Sequence, residues 1–302
     1  MRLLVTGAHG LVGRALLGGS WQGGIELSGC GRRDEPVGAR PYVQVDLADP
    51  VATLALLRAQ APDWVIHTAA LTDVDRCERE PGVSEQVNCG LVAHLVSACQ
   101  EVGCGLVQLS TDYVFDGEAG PYAETAATNP LSVYARHKLI SEELVLSASI
   151  EALVVRTLWL YGHIPGARLN LVTWPLKSLV RGEELRIVND QWGNPTYVHD
   201  LARALVELCA AAATGLFHFG GADFCTRQEL VQQVARRFSL DIRQIHPITT
   251  ADAGQSAPRP LRSGLISERV KSKLGWSART LDEGLCSMAA EESFQSNFRI
   301  LT

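Results

Sequence analysis

Arg2-Leu3-Leu4-Val5-Thr6-Gly7-Ala8-His9-Gly10-Leu11-Val12-Gly13 starts one residue into the chain, and its reading decides the fold. Arg2 to Thr6 is a short apolar strand pattern. Glycines follow at 7, 10 and 13, and Arg14-Ala15-Leu16-Leu17 begins a helical run. Strand, glycine turn and helix in that order make a dinucleotide-binding start. Gly7 permits the tight turn, Gly10 lets the backbone approach a pyrophosphate, and Gly13 lets helix and strand pack closely. The helix N-terminus then meets phosphate with free N–H groups and a favourable dipole. Taken alone, the glycines also fit an ordinary turn of an α/β protein.

Outward from this turn, strands and helices alternate. Strands are expected at 25–29, 43–45, 64–67, 106–109 and 153–156, with helices at 50–60, 85–104 and 131–146 between them. Such alternation predicts a parallel sheet with right-handed crossovers. After Arg156 helices dominate, near 168–181, 199–213, 226–238 and 280–292, with short strands near 185–188, 215–219 and 244–248. The expectation is a Rossmann-type doubly wound α/β fold. Residues 1–160 form its dinucleotide-binding domain and 161–302 a smaller, mostly helical substrate lobe, with a return strand near 215–219.

The second strand ends in Cys30-Gly31-Arg32-Arg33, where an acidic residue would hold the ribose hydroxyls of NAD. Arg32 and Arg33 instead suit a 2′-phosphate by bidentate pairing, which favours NADPH while leaving NADH possible. Asp34 follows and weakens the distinction. Asp46 and Leu47, after the third strand, are placed to border an adenine. The small Ala69 and Ala70 would let a cofactor pass close to the backbone, or simply allow close packing.

The chemistry centres on Ser110-Thr111-Asp112-Tyr113 and, 23 residues after Thr111, Tyr134-Ala135-Arg136-His137-Lys138. Thr111 sits where an apolar strand runs out. Tyr134 and Lys138 are four apart on a helix and share one face. A phenol titrates near about 10, and an ammonium one turn away is expected to lower that value. Tyrosine, lysine and threonine together can move a proton to or from a carbinol oxygen. A solvated helix face shows the same tyrosine–lysine spacing; the glycine turn is what separates the two readings. His137 reads as a surface residue.

Composition narrows the classes further. The 302 residues are 46% hydrophobic, enough for one large or two modest cores. A net charge of −6 without long runs of one sign gives no argument for nucleic acid or an anionic membrane. No run of about 18 apolar residues predicts a membrane span. Met1-Arg2 leads straight into a strand without a signal-peptide pattern, so a cytoplasmic protein is expected. The eight cysteines contain no Cys-x-x-Cys pair, and no metal site is expected.

These motifs resemble the extended short-chain dehydrogenase/reductases, and within them the dTDP-4-dehydrorhamnose reductases. The likeness rests on the glycine turn and the Thr111/Tyr134/Lys138 set. It extends to Thr68 through Asp75, Ser110 through Gly117, Pro121-Tyr122-x-Glu124, Asn129-Pro130-Leu131, Arg156-Thr157-x-Trp159-x-Tyr161-Gly162 and Asp190-Gln191-x-Gly193-x-Pro195-Thr196. It implies Tyr134 as proton donor, Lys138 as its tuner and ribose ligand, and Thr111 as partner of the carbonyl oxygen. It places His9, Leu11, Val12, Leu71 and Asn88 at the cofactor. Thr72, Val74, Asp112, Tyr113, Trp159, Gln191, Asn194, Thr196 and Arg259 fall at a sugar-nucleotide substrate. Trp159 also reads as a core residue. Two departures stand out: Leu71 replaces a usual aromatic residue, and Arg259-Pro260-Leu261-Arg262-Ser263-Gly264-Leu265 alters a late family motif. The resemblance implies reduction of a 4-keto-6-deoxysugar by a monomer or homodimer. The alternative it leaves is a non-catalytic, dinucleotide-binding regulatory subunit like that of methionine adenosyltransferase. A dehydratase is disfavoured, since Tyr113 stands where its acid/base pair would need a second carboxylate.

Overall fold

A computed structural model of the chain describes residues 1–298. Six strands lead the fold: β1 (Arg2–Thr6), β2 (Glu26–Gly31), β3 (Tyr42–Gln44), β4 (Trp64–His67), β5 (Gly105–Thr111) and β6 (Ala152–Thr157). With the Gly215–Phe219 strand they form one seven-stranded sheet, ordered Gly215–Phe219, β6, β5, β4, β1, β2, β3. Every pairing in it is parallel. β4 and β6 are buried at every residue, as strands covered by helices on both faces must be. The order of the strands reverses between β1 and β4, and the crevice beyond their carboxyl ends is where a doubly wound fold binds ligands.

The core lies in two layers. On one face of the sheet, Leu16, Leu205 and Phe217 join Leu3 and Ile66; on the other, Leu57, Leu95 and Val145 join Leu4 and Val65. A third apolar cluster, with Leu176, Leu230 and Phe294, belongs to the lobe after β6. The Val198–Ala210 helix connects these regions. It places Val198, Leu201 and Leu205 in the first cluster, beside the Leu11–Gly18 helix.

Several elements differ from the sequence reading. β5 runs two residues beyond the expected 106–109 and ends at Thr111. The single helix expected over 85–104 is a helix Pro81–Glu85, a π-helical turn Gln86–Gly90 and a helix Leu91–Val102. Gly103, at φ 79°, ends it. The helix expected at 168–181 begins only at Thr173, because the Asn170 side chain caps it by accepting from the Val172 and Thr173 N–H groups. The expected 280–292 helix is Leu281–Ala289, opened by a Thr280/Glu283 capping box and followed by Glu292–Phe298. Helices Val74–Arg79 and Glu268–Leu274 had no periodic signal strong enough to read. No helix among the described residues is long and apolar enough to cross a membrane.

Candidate active site

Thr111 closes β5 at the carboxyl edge of the sheet. Its hydroxyl accepts from the Tyr113 N–H (3.2 Å), which starts a one-turn 3-10 helix, and donates to Asp112 Oδ1 (3.1 Å). The helix Val133–Leu146 begins at Ser132, whose hydroxyl accepts from the Ala135 N–H, while Glu78 takes the Val133 N–H (2.9 Å). That start sets Tyr134 in the first turn and Lys138 in the next, both buried. The Thr111 hydroxyl is near enough to the Tyr134 phenol to favour its ionised form. The Tyr113 ring meets the Tyr134 ring edge-on at 6.2 Å.

A buried bidentate ion pair holds this helix to the sheet. Arg156 on β6 donates from Nε to Glu142 Oε1 (2.8 Å) and from Nη2 to Oε2 (2.6 Å), and its guanidinium lies over Phe115. Glu142 is one turn beyond Lys138, so the clamp fixes the helix that carries the tyrosine and the lysine.

Electrostatics correct one expectation. The Tyr134 phenol is not lowered. Burial pushes it above its usual value, the Asp112 charge adds to the rise, and the Thr111 hydroxyl opposes it. Burial also brings Lys138 down to about 8, against the opposing pull of Glu142 and Cys89. The Lys138 charge is felt by His67, which burial and that charge hold at about 3. His67 ends β4 and shares a 2.7 Å hydrogen bond with Thr6 at the end of β1, so the group that feels the ammonium stands at the β1–β4 crevice. Asp112, fully buried, is pushed up to about 6 by loss of solvent, although the Ser263 and Thr111 hydroxyls favour its ionised form.

The glycine turn fits a dinucleotide. Gly7 has φ 66°, and a Cβ there would come within 2.6 Å of the Ala69 backbone nitrogen, so only glycine serves. Gly10 begins the Leu11–Gly18 helix without a side-chain cap, which leaves first-turn N–H groups for phosphate. Leu11 is half-buried, while Val12 and Gly13 are buried beneath the turn. His9 ties the turn to the arginine loop through Glu35 O (2.8 Å) and packs edge-on against Tyr42. The carbonyls of Arg32 and Arg33 accept from Gln44 and Tyr42, which fixes the backbone and leaves both guanidinium groups exposed.

Other expected cofactor residues have different duties. Leu47 is a core side chain that packs with Leu56 and Leu95. Asp46 is exposed and accepts from the Ala48 N–H. The Asn88 amide accepts from Leu71 N–H and donates to Leu71 O, so it positions Leu71 and has no free group for a cofactor. Ala69, Ala70 and Leu71 line the chain leaving β4; Thr72 is exposed, and Val74 begins the next helix.

On the substrate side, Trp159 is half-buried and adopts φ 43°, a conformation costing a bulky residue about 1–3 kcal/mol. Gly193 makes room for it: a Cβ there would lie 2.9 Å from Trp159 Cε2. The motif around Gly193 is otherwise structural. Gln191 donates to Thr250 and Gln255, Asn194 holds Gly221, Asp223 and Leu265, and Thr196 bonds Asn194 and Gly221. Their polar groups bond within the chain and build the wall behind Trp159. Arg259 is paired with Asp75 (2.8 Å), which also accepts from Ser256 and Ala257 and pins that segment to the dinucleotide side. His137 is partly buried and bonds Ser84, not a free surface residue.

Sequence reasoning missed Arg227. It opens the Arg227–Arg237 helix, its guanidinium lies 5.1 Å from the Trp159 ring centroid, and its charge acts on both Asp112 and Tyr113. The local sequence signals only a capped helix start there.

Comparison with known proteins agrees with this arrangement. The RmlD substrate binding domain family matches residues 1–294. A dTDP-4-dehydrorhamnose reductase of Mycobacterium tuberculosis is 36% identical over 275 residues, covering 89% of this chain and 86% of its own. Rat methionine adenosyltransferase 2 subunit beta is 33% identical over 287 residues, covering 92% and 84%. The crystal structure of dTDP-4-dehydrorhamnose reductase from Bacillus anthracis in complex with NADP superposes with a TM-score of 0.85 at 26% identity, over 95% of this chain and 98% of that one. With the family match spanning nearly the whole chain, the chain belongs to the RmlD substrate binding domain family of extended short-chain dehydrogenase/reductases.

Proposed function

We propose that this protein reduces the keto group of a nucleotide-linked 4-keto-6-deoxysugar with NADPH, and that Tyr134 supplies the proton. The observation that carries the reading is that Thr111, Tyr134 and Lys138 are all buried at the carboxyl edge of the sheet, with Tyr113, bonded to Thr111, packed edge-on against Tyr134. A nicotinamide dinucleotide, when bound, supplies the hydride. The chain does the rest. Thr111 holds the carbonyl oxygen beside Tyr134. Tyr134 stays protonated at neutral pH because burial disfavours its anion. As the oxygen gains negative charge, the phenol gives it a proton. The Lys138 ammonium, charged below about 8, offsets the phenolate left behind. Asp112 and Tyr113 shape the pocket beside these groups, and Trp159, backed by Gly193, walls the sugar. The exposed Arg32 and Arg33 favour the 2′-phosphate of NADPH.

The rat subunit beta is a relative named for a synthetase partner and not for a reduction. What favours turnover here is the complete Thr111/Tyr134/Lys138 set. Steady-state NADPH oxidation with a panel of dTDP- and UDP-linked 4-keto sugars tests the proposal. Wild type is expected to turn over at least one. Tyr134→Phe, which removes one oxygen and keeps the ring, is expected to lose about 10²–10⁴ in kcat with NADPH affinity unchanged. A Tyr134→Phe protein as fast as wild type refutes the role given to the phenol.

A further inference from the structure

We propose that Arg227 is the specificity-determining residue that grips the diphosphate of the nucleotide substrate, donating to a phosphate oxygen on the sugar-facing side of the cleft. The inference deepens the sugar-nucleotide reading and rests on it.

Three observations converge on this side chain. First, its Nε is buried without any hydrogen-bond acceptor, although the guanidinium lies close enough to the Tyr113 hydroxyl to favour the phenolate there. Buried donors, charged ones above all, are ordinarily satisfied, and one left open calls for an acceptor from outside the chain. Second, the residue makes no ion pair with a carboxylate among the described residues. The arginine on the neighbouring segment, Arg259, already has Asp75 at 2.8 Å. The two guanidinium groups both act on the Tyr113 phenol, but Arg259 has a paired carboxylate in Asp75, whereas Arg227 meets the Asp112 charge only through space. Third, Arg227 is held in place. Its backbone N–H donates to Gln191 O at 3.1 Å, Thr226 and Glu229 cap the helix it opens, and its guanidinium lies over Trp159.

The chemistry selects an oxyanion. Guanidinium offers a planar fork of donors and no acceptor, a geometry that suits phosphate. A 4-keto-6-deoxysugar carries only neutral oxygens, so the permanent anion of such a substrate is its diphosphate. Arg227 acts on Tyr113, whose ring packs edge-on against Tyr134, so a phosphate held here stands on the side of the cleft that carries the reacting centre. Asp112 also faces the guanidinium, and an ionised carboxylate there would compete for it. Burial already raises that carboxyl's hold on its proton, and an arriving phosphate would raise it further, so phosphate binding weakens the competing charge.

Calorimetric titration with dTDP tests this on the full chain. Wild type is expected to bind, and Arg227→Gln to raise Kd by roughly 10- to 100-fold, the range of a lost charge-assisted hydrogen bond. The Kd for NADPH should not move. Arg227→Met keeps an apolar stem against Trp159 and stands in if the glutamine variant fails to fold; the same loss is expected. If either folded variant binds dTDP as tightly as wild type, the inference is overturned, even where affinity for a complete sugar nucleotide falls, since Arg227 would then read the sugar. Absence of dTDP binding by wild type overturns it as well. A wild type that binds dTDP through Arg227 yet reduces no 4-keto sugar overturns the reductase reading alone and leaves this inference standing.

Discussion

Asp112→Asn is the sharpest test of the electrostatics of this site. The carboxyl is 2% exposed, and burial raises it from 3.8 to about 6. A carboxyl with a raised value in the folded state binds its proton more tightly there than in the unfolded chain. Its favourable contribution is therefore complete below about pH 4 and is lost as pH rises through about 6. At about 1.4 kcal/mol for each tenfold change in proton affinity, ionising it costs the fold about 3 kcal/mol by pH 8. Asparagine has nearly the same shape and still accepts the bond from Thr111, but it does not ionise. The stability of the variant relative to wild type should thus grow by about 3 kcal/mol between pH 4 and pH 8, or roughly 5 °C in melting temperature. Every other titrating group is common to both proteins and cancels in the difference. The assay is paired urea and thermal unfolding at intervals over that range. Two curves that stay parallel would show that Asp112 titrates normally and that its burial carries no electrostatic cost.

Three further outcomes are expected. The pH profile of kcat should fall on the alkaline side near about 8, where Lys138 loses its proton, and Lys138→Met should lower the plateau and remove that limb. A limb that survives the substitution belongs to another group. Gly193→Ala should push the Trp159 indole out of place, since the new Cβ would sit 2.9 Å from it, at about 1–3 kcal/mol; KM for the sugar nucleotide should rise with NADPH affinity unchanged, and crystallography or tryptophan fluorescence would register the shift. Replacing Arg32 and Arg33 together with glutamine should weaken NADPH by about tenfold or more and NADH hardly at all, and equal losses for both cofactors would remove the arginines from the discrimination.

Much of this protein is legible without coordinates because its decisive signals are local. β1 with Gly7, Gly10 and Gly13 is one contiguous pattern, and its periodicity and turn chemistry need no distant partner. The spacing of Tyr134 and Lys138 is likewise a property of one helix, and the apolar run before Thr111 of one strand. Those three segments suffice for the fold class and the catalytic proposal. What only the tertiary structure decides involves burial or contacts far along the chain. Asn88 looks available until Leu71 is seen to use its amide. Gln191, Asn194 and Thr196 form a motif whose polar groups hold Thr250, Gly221 and each other, so that their service to Trp159 is indirect. Arg227 reaches Tyr113 and Trp159 from the opening turn of a helix far down the chain. The sign of the Tyr134 shift illustrates the reason. An ammonium four residues away can be read from the sequence and argues for a lower value, but the loss of solvent around the phenol is a property of everything packed on it, and here that loss is the larger effect.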